Sequence, residues 1–217
     1  MDVVTNVGER GEPFEQPASF AFDAESEAEL AKIIAKYPVG RQASAVIPAL
    51  YVVQRQMKRQ TGSAWVPVKG MDAVAAKLGM APIRVYEVCT FYFMFNTKPV
   101  GKYHLQVCTT TPCWLRGSDE VTEACRKETG IQGWGETSAD GMFTMTEVEC
   151  LGACVNAPIL QVDDDFYEDM DAQKVQDLLA ALRRGERPKP GSMAGRQASA
   201  PAGGPTTLTT LRFAPEK

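Results

Sequence analysis

Histidine is nearly absent from this chain: His104 is the sole one in 217 residues. That excludes a Rieske-type centre, which needs two histidines, and leaves no His–Asp–Ser constellation for nucleophilic catalysis. Positive charge is also in short supply. The 23 lysines and arginines against 27 acidic residues leave a net charge of −4, which argues against binding nucleic acid by phosphate neutralisation. No apolar run approaches the length of a membrane span, so any membrane association is expected to run through partners. The N-terminus has neither an apolar signal region nor an Arg-rich amphipathic start, so no export or transit signal is read. No Gly-x-Gly-x-x-Gly follows a strand pattern and no Walker motif occurs, so no phosphate loop is expected. Cys-x-x-Cys is missing too, which excludes thioredoxin-type dithiol exchange.

What is present begins with an ordinary globular composition, 44% hydrophobic and 23% charged, over a length that suits one large or two small domains. Six cysteines without an export signal point to a reducing compartment, where metal ligation is favoured over disulfides. Four of them form two pairs, Cys108 and Cys113 with four residues between, and Cys150 and Cys154 with three. Each pair can be turned toward a common centre by one loop. Four thiolates from two loops are the ligand set of a [2Fe–2S] cluster or of a structural zinc. Spacing alone leaves both open: zinc favours x2 knuckles but tolerates x4, and the plant-type ferredoxin C-x4-C lacks its close third cysteine here.

Along the chain, residues 1–21 are polar with Gly and Pro punctuation and read as a flexible arm. Helices fit residues 23–37, where Ser26 and Glu29 have capping-box spacing, then 44–60, 71–78 and 82–91. The third and fourth, with Gly79 between them, also fit a helix-turn-helix. A zinc-stabilised DNA-binding protein is therefore the alternative from another class, although the second helix offers only Arg84 and Glu87 to base edges. From residue 102 the pattern alternates: Tyr103, Leu105 and Val107 against His104, Gln106 and Cys108, a strand delivering Cys108 at its end. A helix over 118–129 with Ser118 as N-cap, a strand over 142–148, a strand over 158–162, an acidic turn at 163–165, a return strand over 166–168 and a helix over 171–184 capped by Asp171 follow. Residues 187–217 are rich in Pro, Gly, Ala and Ser up to Pro205 and read as a flexible tail, with an apolar end at 208–213 suited to docking on a neighbour.

The segments Cys108-Thr-Thr-Thr-Pro-Cys113-Trp-Leu-Arg-Gly and Glu149-Cys150-Leu-Gly-Ala-Cys154-Val-Asn-Ala-Pro158 resemble the two loops of the thioredoxin-like [2Fe–2S] ferredoxin family. Within it they are most similar to the 24 kDa (E) subunits of respiratory NADH:quinone oxidoreductase, complex I. Tyr37-Pro38, Ser44-Ala-Val-Ile-Pro48, Thr90-Phe-Tyr92, Pro99-Val-Gly-Lys102 and Tyr167-Glu168 extend the match over roughly residues 25–182. Cys89 departs from it, standing where a small residue such as alanine is expected. The resemblance implies an α/β fold: a helical domain over residues 22–98, then a thioredoxin-like [2Fe–2S] domain over 99–186. It implies one [2Fe–2S] cluster on Cys108, Cys113, Cys150 and Cys154. It also implies an electron-transfer subunit that carries no substrate site of its own and accepts electrons from a partner holding FMN and NADH. Quinone would be reduced elsewhere in a complex attached peripherally to the cytoplasmic face of a bacterial inner membrane. Equivalent subunits of NAD-linked hydrogenases or formate dehydrogenases share these loops and are the alternative context.

A bound cluster is net negative and needs hydrogen-bond donors. Backbone N–H groups of residues 109–111 and 151–153 are placed to supply them, with Gly152 permitting close approach. Trp114 and Leu115 are expected to shield one side, or else Trp114 to pack in the core. Cys89 and Cys125 are expected as small buried hydrophobes, and His104 as a polar strand residue or a neighbour of the ligands.

Overall fold

A computed structural model describes residues 14–197 and the isolated positions 203, 206, 207 and 209. The chain divides after Tyr103 into two compact units.

The first unit is helical. Helix α1 (Ala24–Ile34) starts at Asp23, whose carboxylate accepts the Ser26 N–H at 2.8 Å. Asp23 is therefore the cap, in place of the Ser26/Glu29 box. A short 3-10 turn, Gln42–Ala45, leads into α2 (Val46–Thr61), which ends at Gly62 with φ +80°. Helix α3 (Val68–Leu78) starts three residues earlier than the apolar stripe suggests. Gly79, with φ +64°, turns it into α4 (Pro82–Phe91). Leu30, Leu50, Val53, Val74 and Val85 close the core. Helices α2 and α3 approach so closely that a Cβ on Gly70 would stand 2.5 Å from Val53 Cγ1. On α4, Arg84 is paired with Glu87 at 2.8 Å, and Ile83 and Phe91 are exposed. That is a poor surface for reading DNA.

The expected N-terminal arm is corrected from residue 14 onward. Phe14 meets Trp65 edge to face at 5.5 Å, and Phe20 and Phe22 pack on the core. Gln56, buried on α2, donates to the Ala21 carbonyl at 2.8 Å and accepts the Asp23 N–H at 3.1 Å. Polar composition hid this segment, because three aromatic rings and one buried amide do the anchoring. Residues 1–13 lie outside the described residues.

The second unit is a six-stranded sheet in the order β2-β3-β1-β4-β5-β6. Its strands are β1 (Tyr103–Cys108), β2 (Glu136–Thr137), β3 (Phe143–Val148), β4 (Leu160–Val162), β5 (Asp165–Glu168) and β6 (Gly191–Ser192). All of β1 is buried, His104 and Gln106 included, so the alternation seen in its sequence marks two covered faces. Helices α5 (Thr111–Leu115), α6 (Ser118–Thr129) and α7 (Ala172–Arg183) complete the unit, and α6 packs against α7. Gly117, not Ser118, is the N-cap of α6. Asp171 caps α7, accepting the Lys174 N–H at 2.9 Å.

Two expectations change here. The acidic turn is not simply solvated, for Asp163 is largely buried and accepts the His104 N–H at 3.1 Å. Residues 187–196 are not a loose tail either. Arg187 bridges Asp163 at 2.5 Å and Asp165 at 2.9 Å, and β6 pairs in parallel with β5. Composition is blind to both, because they depend on backbone pairing and guanidinium geometry rather than on apolar burial. The apolar end at 208–213 lies almost wholly outside the described residues.

Candidate metal centre

The sheet order brings the two cysteine loops together, because β1 sits between β3 and β4. Strand β1 ends at Cys108, and β3 ends at Val148, two residues before Cys150. Antiparallel pairing sets Val107 opposite Leu160, at the exit of the second loop. The Cys108 N–H donates to the Ile159 carbonyl at 3.3 Å, joining the two loops through backbone.

Within the first loop, Thr110 is extended and Pro112 occupies the first turn of α5, where a missing N–H costs nothing. The short helix carries Cys113 inward. Within the second, Gly152 has φ +84°, and its N–H points at Cys150 Sγ from 3.4 Å. A 3-10 turn, Cys154–Asn156, and a cis Ala157–Pro158 bond lead into β4.

Cys108 and Cys113 are buried with Val148, Ala157 and Ile159, and Leu151, Ala153 and Phe166 pack against them. Cys150 is exposed and Cys154 partly so. The centre is thus closed on one side and open on the other. Trp114 and Leu115 are 57% and 70% exposed in this chain. Neither shields nor fills a core; Leu151, Ile159 and Phe166 provide the apolar wall instead.

Hydrogen bonding organises the thiols in pairs. Burial acts to push the Cys108 thiol up, but donors from the Thr110 hydroxyl, Cys113 and the Leu151 and Thr110 N–H groups outweigh it and hold the thiol below its ordinary value. Burial, reinforced by Cys108, pushes Cys113 up to about 12, opposed by the Ile159 N–H. Cys150 is lowered by Cys154 and the Gly152 N–H, while Cys154 is raised by the same contact with Cys150.

The sulfurs of the second loop are close enough to share one metal. Cys150 and Cys154 sulfurs stand 3.2 Å apart. That is far beyond a ~2.05 Å disulfide, and within reach of the ~3.7 Å edge set by two ~2.3 Å bonds to one tetrahedral ion. A two-and-two set of soft, anionic donors suits a binuclear iron–sulfur cluster better than one zinc.

Of the expected backbone donors, the Thr110, Leu151 and Gly152 N–H groups serve the sulfurs; separately, the Thr109 hydroxyl donates to Glu147 at 2.6 Å. The Ile159 N–H was not legible in the sequence, since it lies just before β4 and reaches Cys113 across the pairing of the two loops. Cys89 and Cys125 are buried in α4 and α6, and burial pushes each thiol up to about 12. The His104 ring bonds Thr146 Oγ1 at 2.8 Å.

Fold and paired thiols define a ferredoxin of the thioredoxin-like type. The model of the thioredoxin-like [2Fe–2S] ferredoxin family matches residues 30–183, and this chain belongs to that family. It is 48% identical to the E subunit of NADH-quinone oxidoreductase from Rickettsia conorii, over 76% of this chain and 95% of that one. It is 45% identical to the mitochondrial NADH dehydrogenase [ubiquinone] flavoprotein 2 of Dictyostelium discoideum, over 87% of this chain and 74% of that one. In fold it is similar to an NAD+-reducing [NiFe]-hydrogenase, with a TM-score of 0.52 at 15% identity, covering 63% of this chain and 23% of that one. No helix among the described residues is long and apolar enough to cross a membrane.

Proposed function

We propose that this chain is the [2Fe–2S] electron-transfer subunit of an NADH:quinone oxidoreductase, with Cys108, Cys113, Cys150 and Cys154 as cluster ligands. The observation that carries the reading is the meeting of two cysteine pairs at adjacent strand ends, one pair buried and one facing solvent. The high identity to the Rickettsia conorii relative over most of both chains supports the complex I context. The likeness to the hydrogenase is one of fold.

When bound, the cluster supplies a one-electron centre of net negative charge. The chain's residues set its surroundings. The Thr110 hydroxyl and the Leu151, Gly152 and Ile159 N–H groups direct positive dipole at the sulfurs. Val148, Leu151, Ile159 and Phe166 keep water from the inner side. The exposed Cys150 edge leaves a short route to a redox partner, and Trp114, Leu115 and Val155 nearby in sequence are exposed apolar side chains. The partner proposed is the FMN- and NADH-binding subunit, in a peripheral arm on the cytoplasmic side of a bacterial inner membrane. With no nucleotide loop in the sequence, this chain passes electrons without binding the donor.

Anaerobic purification of the chain alone and with that flavoprotein tests the proposal. Iron and acid-labile sulfide in equal amounts, a [2Fe–2S] electron paramagnetic resonance signal on reduction, and NADH oxidation only by the pair are expected. Stoichiometric zinc without sulfide overturns the cluster, and saturable NADH binding to the chain alone overturns the division of labour.

A further inference from the structure

The turn that carries Cys154 has little apolar anchoring on its outer side, since Val155, the next residue, is 65% exposed. It is held by polar contacts from the segment after α7. The Arg196 guanidinium donates its Nε–H to one Asp169 oxygen at 3.2 Å, and its Nη2 shares two hydrogens among the Val155 carbonyl at 3.0 Å, the Asn156 side-chain oxygen and the other Asp169 oxygen at 2.9 Å. Ser192, on β6, donates its hydroxyl to the same carboxylate at 2.6 Å. Asp169 in turn donates its N–H to the Asn156 carbonyl at 2.6 Å, from a left-handed backbone with φ +56°. Aspartate is among the few non-glycine residues that adopt this conformation readily. Asn156 Nδ2 donates to Glu168 at 2.5 Å. Arg196 and Asp169 side chains are only 24% and 14% exposed.

We infer that Arg196 is a positioning residue for the Cys154 side of the centre, acting as a latch that fastens residues 191–196 over the Val155–Asn156 turn. One planar guanidinium reaches two acceptors on the ligand turn and a carboxylate on β5's exit, which a lysine, as a point charge, does not reproduce. Arg196 lies outside residues 30–183, the part matched by the family. With the latch in place, residues 191–196 are not dispensable to the centre, as a flexible tail would be.

The inference rests on the reading that Cys154 ligates a cluster, and that reading is checked first by the iron and sulfide content of the wild-type chain. Given a loaded wild-type chain, full-length Arg196→Ala, Arg196→Lys and Asp169→Asn variants are compared by anaerobic bleaching with an iron chelator. Their reduced electron paramagnetic resonance spectra and far-ultraviolet circular dichroism are recorded alongside. Loss of charge-assisted bonds worth a tenfold change in an equilibrium sets the scale: bleaching about tenfold faster in Arg196→Ala. A shifted or broadened spectrum, unchanged dichroism and partial rescue by Arg196→Lys are expected with it. Asp169→Asn keeps a residue that tolerates the left-handed backbone and is expected to behave like Arg196→Ala, so the contact is also tested where truncation disturbs folding. Wild-type bleaching rates and spectra in Arg196→Ala and Asp169→Asn overturn the latch, whatever happens to the melting temperature. An iron-free wild-type chain overturns the cluster reading instead.

Discussion

The Thr110 hydroxyl lies 3.2 Å from the Cys108 sulfur, one of the two thiols whose burial would otherwise oppose ionisation. Replacing it with an isosteric methyl keeps the shape and deletes the donor. Thr110→Val is therefore expected to lower the one-electron potential of the centre by roughly 65–130 mV, the one-electron equivalent of the ~1.5–3 kcal/mol of one hydrogen bond to a charged group. A redox titration checks it; an unchanged or raised potential rules out this role for Thr110.

Serine at Cys108, Cys113, Cys150 or Cys154 is expected to weaken or abolish the visible and paramagnetic signals of the cluster, because a hydroxyl is a harder and less acidic donor. Cys89→Ser and Cys125→Ser place a hydroxyl in buried helical positions. They are expected to cost about 1–3 kcal/mol of stability while leaving the spectrum intact. A normal spectrum in all four loop variants, or its loss in Cys125→Ser with the fold retained, contradicts the ligand assignment.

Alkaline pH should destabilise the chain through the same two buried thiols. Each is pushed up to about 12 by burial, against about 8.5 in an unfolded chain. A raised folded value contributes stability that is complete below the unfolded value and is lost as pH rises toward the folded one. Chemical denaturation of the Cys89→Ala/Cys125→Ala variant should thus show a flatter decline between about pH 8.5 and 12 than the parent. Parallel curves would refute this linkage.

Gly70 allows α3 to lie against α2, with its missing Cβ only 2.5 Å from where Val53 Cγ1 stands. Gly70→Ala gains helix propensity but overpacks the contact, and a net loss of about 1–3 kcal/mol is expected. Pairing it with Val53→Ala should recover part of the loss in a double-mutant cycle. Additive losses would mean that the two residues do not compete for the same space.

Much of the site is legible in the order of residues alone. Two cysteine pairs in Gly- and Pro-bearing loops, one histidine and no phosphate loop narrow the chemistry to thiolate-bound metal. Gly79, which separates the third and fourth helices in the sequence, turns α3 into α4 with positive φ. Asp171 caps α7 as expected. Short features are harder to see. Strands β2 and β6, of two residues each, carry no periodicity, and α5 hides inside the first cysteine loop.

By itself, the sequence determined which atoms are available for chemistry: four loop thiolates, the glycine that lets the second loop turn, and the helix starts and stops, all set by local backbone and side-chain properties. Tertiary structure alone decided what surrounds those atoms. Strand pairing, a property of the whole sheet, set Ile159 beside Cys113. It also carried Arg196 back across 40 residues of chain to the Asn156 turn. Such contacts join residues remote in sequence through single directional bonds, and neither composition nor periodicity records them, because both average over neighbours along the chain.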